Sequence, residues 1–466
     1  MTPRRTLLGV IALLAMTVAC TRPEATPSTN LLAPPDSLSP PTTATTVVRT
    51  TTTIDVERAS IYPVDPITLE AVAGFDPIAV GDWAWGISSD NGSWLALNVG
   101  HDDRDLTELR LIDVEDWEVA TTWFPSIDTP LHVTDDGTIY VINGSPPNFH
   151  LSRMVPGETS PAVIADLPSQ LYWYELHIQG GLALIFGLDS PNSDNRGEAL
   201  IVTVELATGL VTEVPLPGVE VGTIGELVLP TYGSLTFDAS PTIVWDDRRS
   251  RVLIVNANRD VITEINQTTG EVSEHRFGSD APNSKPIADG AFTNGSRTAA
   301  LGRPNGGVLY VATAVQTFEV VDDYLTATST AEGIEAIDTE TWEVIDRLDA
   351  PISEVYLSSA GDRLLASGQT YTDTPDTSGS ESSGLYVIDA IALEVVAHHG
   401  ADQPNRYYGG FSVNPDMRIG YVQTWDQMTK LYVVELENGN IVNTRQDFEI
   451  QFFADAGVLM EVRPTP

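Results

Sequence analysis

The chain has 466 residues, 42% of them hydrophobic, enough to bury a sizeable core and to exclude a disordered protein over most of its length. With 65 acidic against 24 basic residues the net charge is −41, which disfavours nucleic acid and an anionic membrane surface as partners. A single cysteine, Cys20, excludes an intrachain disulfide, a cysteine-based zinc cluster and c-type haem attachment.

In chain order, Arg4 and Arg5 precede an apolar run from Leu7 to Val18, which ends in Thr17-Val18-Ala19-Cys20. A charged start, a short apolar stretch and small residues before the cut describe an export signal over 1–19. The junction resembles a bacterial lipoprotein box, although Thr17 stands where Leu is usual. That resemblance implies lipidation (palmitate) of Cys20 as the mature N-terminus and a cell-membrane location facing away from the cytoplasm. Arg4-Arg5-Thr6-Leu7-Leu8 partly resembles a twin-arginine signal, so the Sec and twin-arginine routes both remain open. Residues 20–60 are rich in Thr, Pro and Ser and read as a tether that cannot fold on its own.

From residue 61 to the end two signatures alternate. One is a pair of apolar residues, an acidic or amide residue, then Trp, Gly or Leu four positions on. It reads Leu111-Ile112-Asp113 with Trp117, Ala336-Ile337-Asp338 with Trp342, and Val387-Ile388-Asp389 with Leu393. The keyed positions are 65, 113, 153, 205, 266, 338, 389 and 435, about 53 residues apart, a spacing that suits propeller blades. The other signature is a strand, a tight polar turn and a strand, as at Asp90-Asn91-Gly92, Asp135-Asp136-Gly137, Gly180-Gly181 and Asp455-Ala456-Gly457. Each blade therefore reads as hairpin a–b followed by hairpin c–d. The chain starts with a lone c–d hairpin at 61–73 and ends with a lone a–b hairpin at 449–462, and the two halves complete one blade. The expectation is an all-β fold, a single propeller over 61–466 with eight blades, seven being the alternative.

Leu309-Tyr310-Val311-Ala312 and Leu385-Tyr386-Val387-Ile388-Asp389 resemble the YVTN-type repeat of bacterial surface and periplasmic propellers. The resemblance covers 61–462 and implies architecture rather than activity. Trp245-Asp246 and Trp425-Asp426 fall at different places in their blades, so the chain is not a regular WD-type array.

Long connections are expected at one end of the blades: 189–198, 215–241, 277–291, 315–332, 369–383 and 399–411. Function gathers on such segments. The candidate binding face carries Tyr172, Trp173, Tyr174, Arg406, Tyr407, Tyr408, His101, Asp102, Asp103, Asp105 and Trp425, aromatics beside carboxylates that suit a sugar or a protein surface. The alternative for the aromatics is packing between blades. His101 to Asp105 lacks the oxygen spacing of a calcium loop. Ser88 to Trp94 resembles an Asp-box turn of sialidase-type propellers, one residue short before the Trp. No nucleophile elbow or phosphate loop is found, and no metal or cofactor is called for. The expected function is a membrane-anchored, extracytoplasmic binding or scaffold propeller whose partner is an envelope protein or a glycan. The rival is an exported enzyme, lactonase-like or quinoprotein-like, with a metal or cofactor in the central funnel.

Overall fold

The computed structural model describes residues 58–463, apart from short stretches at 81–82, 102–103, 124–130, 146–147, 169–170, 190–197, 230–232, 247, 279–284, 289–290, 303–306, 322–323, 359–360, 374–377, 403–405, 415–417, 426–428 and 448. The export signal, Cys20 and residues 20–57 of the tether lie outside the described residues, as do Asp102 and Asp103; the last three residues read as tether, Arg58 to Ser60, instead open the strand Arg58–Pro63, held there by pairing with Val458–Arg463. Among the described residues the regular structure is all strand, 35 of them, and no helix is long and apolar enough to cross a membrane.

The strands form six four-stranded antiparallel sheets, one of nine strands and a separate two-stranded hairpin. The first sheet is built in chain order from Trp83–Ser88, Trp94–His101, Arg104–Asp113 and Glu118–Trp123. The second runs from Leu131–Val133 to Ala162–Asp166, the third from Leu171–Gln179 to Val211–Pro215, and the fourth from Thr242–Asp246 to Val272–Arg276. The nine-stranded sheet spans Lys285–Ala288 to Glu394–His399 and is followed by the last meander, Tyr407–Asn414 to Ile441–Asp447. The remaining sheet mixes the two ends of the chain: Arg58–Pro63 pairs with Val458–Arg463, Ile61 opposite Met460. The architecture is that of a β-propeller, with four-stranded meanders set face to face.

The keyed acidic residue owes its place to turn chemistry. Asp113, Asn266, Asp338 and Asp389 each end a third strand, and Asp65 follows one by two residues; each accepts two backbone N–H groups, from residues two and three positions on, at 2.7–3.1 Å. Those bonds hold the Asp65, Asp338 and Asp389 carboxyls below their usual range. Four residues on, the backbone has positive φ in every copy: Leu69, Trp117, Trp342 and Leu393 where the residue is large, Gly157, Gly209, Gly270 and Gly439 elsewhere. The large residues meet that strain by packing. Trp342 lies flat on His275 at 4.0 Å between ring centres, and Leu69 is 1% exposed.

Alternate residues of each strand feed apolar clusters between neighbouring sheets. Ile112 and Leu97 of the first sheet pack with Ile61 and Met460 of the shared one, and Tyr421 and Val433 of the last meander pack with Leu69 and Phe452 on its other side. The junction is also clasped by polar groups. Tyr421 Oη donates to Pro66 O at 3.0 Å, Asn443 Nδ2 to Thr68 O at 2.6 Å, and Arg445 to Leu69 O and to the buried Glu461.

Three of the segments read above as long loops are instead strands. Between 222 and 239 lies the hairpin Gly222–Leu229 and Gly233–Ala239, and 315–321, 324–332, 369–373 and 378–383 are outward continuations of blade strands. Ala327, Thr328 and Ser329 pair with Asp373, Thr372 and Tyr371, fusing two meanders into the nine-stranded sheet. The continuations start where Gly333 (φ +101°) and Gly384 (φ +90°), each five residues before a keyed Asp, let the chain leave the blade. A Cβ at either site would lie 2.3 Å from a carbonyl oxygen, Leu348 O or His399 O. We call this added sheet the canopy. It has its own apolar core: Phe237 stacks on Phe292 at 4.1 Å and meets Phe318 at 4.9 Å, all three at most 5% exposed.

Candidate functional site

Two places concentrate chemistry. The first is the axis. First strands of neighbouring meanders approach one another, so polar side chains on them converge. Leu171–Gln179 contributes Glu175 and His177, Thr242–Asp246 contributes Trp245, and Leu131–Val133 contributes His132. Trp245 Nε1 donates to Glu175 Oε1 at 2.7 Å. Its ring lies flat on the buried His177 at 4.1 Å, and His177 meets His132 edge-on at 6.2 Å. Glu175 keeps part of its surface open, but protein surrounds it, and burial pushes its carboxyl up to about 7 against the opposing pull of the Trp245 bond. A carboxyl poised there exchanges a proton near neutral pH.

A second carboxyl lies on the strand Glu354–Leu357. Glu354 is 7% exposed, accepts a bond from Tyr407 Oη at 2.6 Å, and is pushed up to about 7 by burial. Burial and the Glu354 charge together raise the Tyr407 phenol. Arg297, 1% exposed on Ala291–Gly302, donates from Nη1 to Ala257 O at 3.0 Å, and burial lowers it to about 10. Among the described residues no group of three or more His, Cys, Asp or Glu is arranged to hold a metal ion.

The second place is the canopy, which stands at the end of the meanders where second strands pass to third and fourth strands to the next first. The residues expected on the binding face distribute as follows. Tyr172, Trp173 and Tyr174 begin the strand Leu171–Gln179 at that same end, with a register shift between Trp173 and Glu175. Trp425 ends Ile419–Trp425 there, opposite Tyr407. His101 and Asp105 sit at the second-to-third connection of the first sheet, His101 paired with Arg104. Arg406 Nη1 donates to Tyr432 Oη at 2.9 Å, Tyr407 is engaged by Glu354, and Tyr408, 2% exposed, packs with Tyr432 and Val413. Arg406, Tyr407 and Tyr408 are thus tied to their own meander and its neighbour. Glu175, His177, Arg297 and Glu354 were not singled out from sequence, and Trp245 was noted only as part of a Trp-Asp dipeptide. Their only signal is a polar residue inside an apolar strand, and that becomes readable once the innermost strand is known.

No protein family's sequence profile matches the chain, and no curated protein matches it. Solved structures with a similar course of chain include a dihydro-heme d1 dehydrogenase, NirN, in complex with DHE, at 13% identity and TM-score 0.49 over 86% of this chain and 76% of that one. An oligogalacturonate lyase in complex with manganese follows at 13% and 0.42 over 78% and 87%. The Cps50 (Swd1) β-propeller domain of Myceliophteria thermophila is similar at 15% and 0.39 over 82% and 96%. These likenesses concern shape and carry nothing of those proteins' activities to this chain.

Proposed function

We propose that this chain is a lipid-anchored, extracytoplasmic propeller of eight blades that binds a partner through its canopy face. Eight blades follow if the nine-stranded sheet is read as two meanders joined at the canopy and the sheet shared by the chain ends as the closing blade. The Cys20 junction and the Thr/Pro/Ser-rich stretch after it support anchorage at the cell membrane with the propeller held off the lipid. The YVTN-type repeat resemblance fits the same reading.

The observation that carries the binding role is the canopy's private core of Phe237, Phe292 and Phe318. These residues do not serve blade-to-blade packing; they hold an added surface in a fixed shape. A preformed surface loses little conformational freedom when it binds, which favours affinity. Tyr172, Trp173, Tyr174 and Trp425 stand at the same end and extend the proposed face.

The test is crosslinking in whole cells, comparing the full chain with one in which 315–330 is replaced by Asn-Gly. A crosslinked partner present with the first and lost with the second supports the reading; identical capture by both refutes it. Anchorage is checked by labelled fatty acid, which Cys20→Ala should exclude. A second reading, an exported enzyme working at the axis, is favoured by the Glu175, Trp245, His177 and His132 cluster. It requires that a divalent metal or a quinone raise the Tm of the full chain and that Glu175→Gln abolish the rise.

A further inference from the structure

Below the canopy, buried donors and buried acceptors share one seam without bonding one another. Cross-strand pairing sets Arg297 beside Thr313 and, one row along the same face, Ala299, Val311 and Glu335 together. That face packs on Val255 and Ile262 of the fourth sheet. Across the seam lies the turn between the fourth sheet's second and third strands, residues 256–260. A Cβ at Gly295 would come within 3.1 Å of Ala257 O and 3.2 Å of Asn258 Cα, so the strand carrying Arg297 touches that turn.

Arg297 is 1% exposed, and its Nη1 donates to Ala257 O at 3.0 Å. Its Nε and Nη2 are buried with no hydrogen-bond partner. Those two N–H groups form one edge of the guanidinium, the edge that grips both oxygens of a carboxylate. The Nη1 bond holds the group and so helps to aim that edge. Two acceptors in the same seam are also unmet. Asn258, 1% exposed, gives its Nδ2 to Glu220; a carboxylate only accepts, so the amide oxygen is the end left without a partner. Glu335 pairs through Oε1 with Arg347 at 3.2 Å, and its Oε2 is buried and unbonded. Buried polar groups are costly unless something meets them, and here the complementary groups do not meet each other.

We infer that an α-amino acid binds in this seam, its carboxylate on the Nε–Nη2 edge of Arg297 and its ammonium at Asn258 Oδ1 and Glu335 Oε2. Charge is matched at both ends of such a ligand. Burial lowers Arg297 only to about 10, so the fork stays cationic at neutral pH. Phosphate or sulfate fits the fork but turns its remaining oxygens on two acceptors that have no proton to give. Water meets each group singly and leaves the guanidinium without a counter-charge bonded to it. A zwitterion has no net charge, so the −41 of the chain does not oppose its entry.

The inference holds whether or not the canopy takes a partner. The full chain is titrated calorimetrically with each of the common α-amino acids and with acetate, beside the variants Arg297→Lys and Glu335→Gln. Lysine keeps the charge and loses the fork; glutamine keeps an oxygen for Arg347 and loses the charge that meets the ammonium. Binding of at least one amino acid, one per chain and weakened at least about tenfold in each variant, supports the site. A melting scan shows whether Arg297→Lys folds; where it does not, Glu335→Gln carries the test. Acetate binding as tight as the amino acid overturns the ammonium contacts and with them the assignment. Unchanged affinity in either folded variant overturns the site. Failure of the parent to bind any amino acid leaves water in the seam and overturns the inference.

Discussion

Glu354→Gln is expected to stabilise the protein at alkaline pH and to leave its stability nearly unchanged in acid. Glu354 is 7% exposed, and burial raises its carboxyl from 4.5 to about 7, with the Tyr407 bond pulling the other way. The folded protein therefore keeps a proton that the unfolded chain releases between those two values. Stability from this group is fully present below 4.5, falls as pH rises through the window and stays lost above about 7. At 1.36 kcal/mol per pH unit the gap amounts to roughly 3 kcal/mol. Glutamine still offers a carbonyl oxygen to Tyr407 and has no charge to bury. With an unfolding entropy of about 2.1 cal/mol/K per residue over roughly 400 residues, the variant should melt about 3–4 °C above the parent at pH 8. The assay is calorimetric melting of both proteins from pH 4 to pH 8.5. The remaining acidic residues are common to both and cancel in the difference. A difference that does not change with pH, or one that grows toward acid, refutes the reasoning.

Arg445→Met removes the guanidinium that pairs with the fully buried Glu461 and should cost about 3–5 kcal/mol, read as a lowered denaturant midpoint. Gly333→Val meets both a positive φ and the Leu348 carbonyl, and should destabilise by at least about 2 kcal/mol, whereas Gly307→Ala, with nothing within 4 Å, should be near neutral. Asp338→Ala removes the side-chain acceptor of two backbone N–H groups, those of Glu340 and Thr341, and should cost about 1–2 kcal/mol, checked by the same melts.

The repeat was readable because its constraints are local. A turn that needs a side-chain acceptor at one position and tolerates positive φ four residues later writes both into the sequence, as at Asp113 and Trp117 or Asn266 and Gly270. The complementary half-blades at the two ends were readable for the same reason. The canopy was hidden because its strands are polar on one face: Thr326-Ala327-Thr328-Ser329-Thr330 has too little apolar character to separate it from a loop. The pairing that orders it, Thr328 with Thr372, lies 44 residues away and leaves no local mark. The axial cluster was hidden for a different reason. Trp245, His177 and Glu175 come from different meanders, and only the packing of first strands brings them together.

Pairing of Arg58–Pro63 with Val458–Arg463 ties together residues some four hundred positions apart. Contacts that distant form late, since the loop they close must lose its freedom before any bond repays it. During synthesis the leading half-blade must wait, with both strand edges open, until the last fifteen or so residues arrive. The rate-limiting step should be this final docking, and a chain lacking its last strand should accumulate as an unfinished ring prone to join edge to edge with its copies.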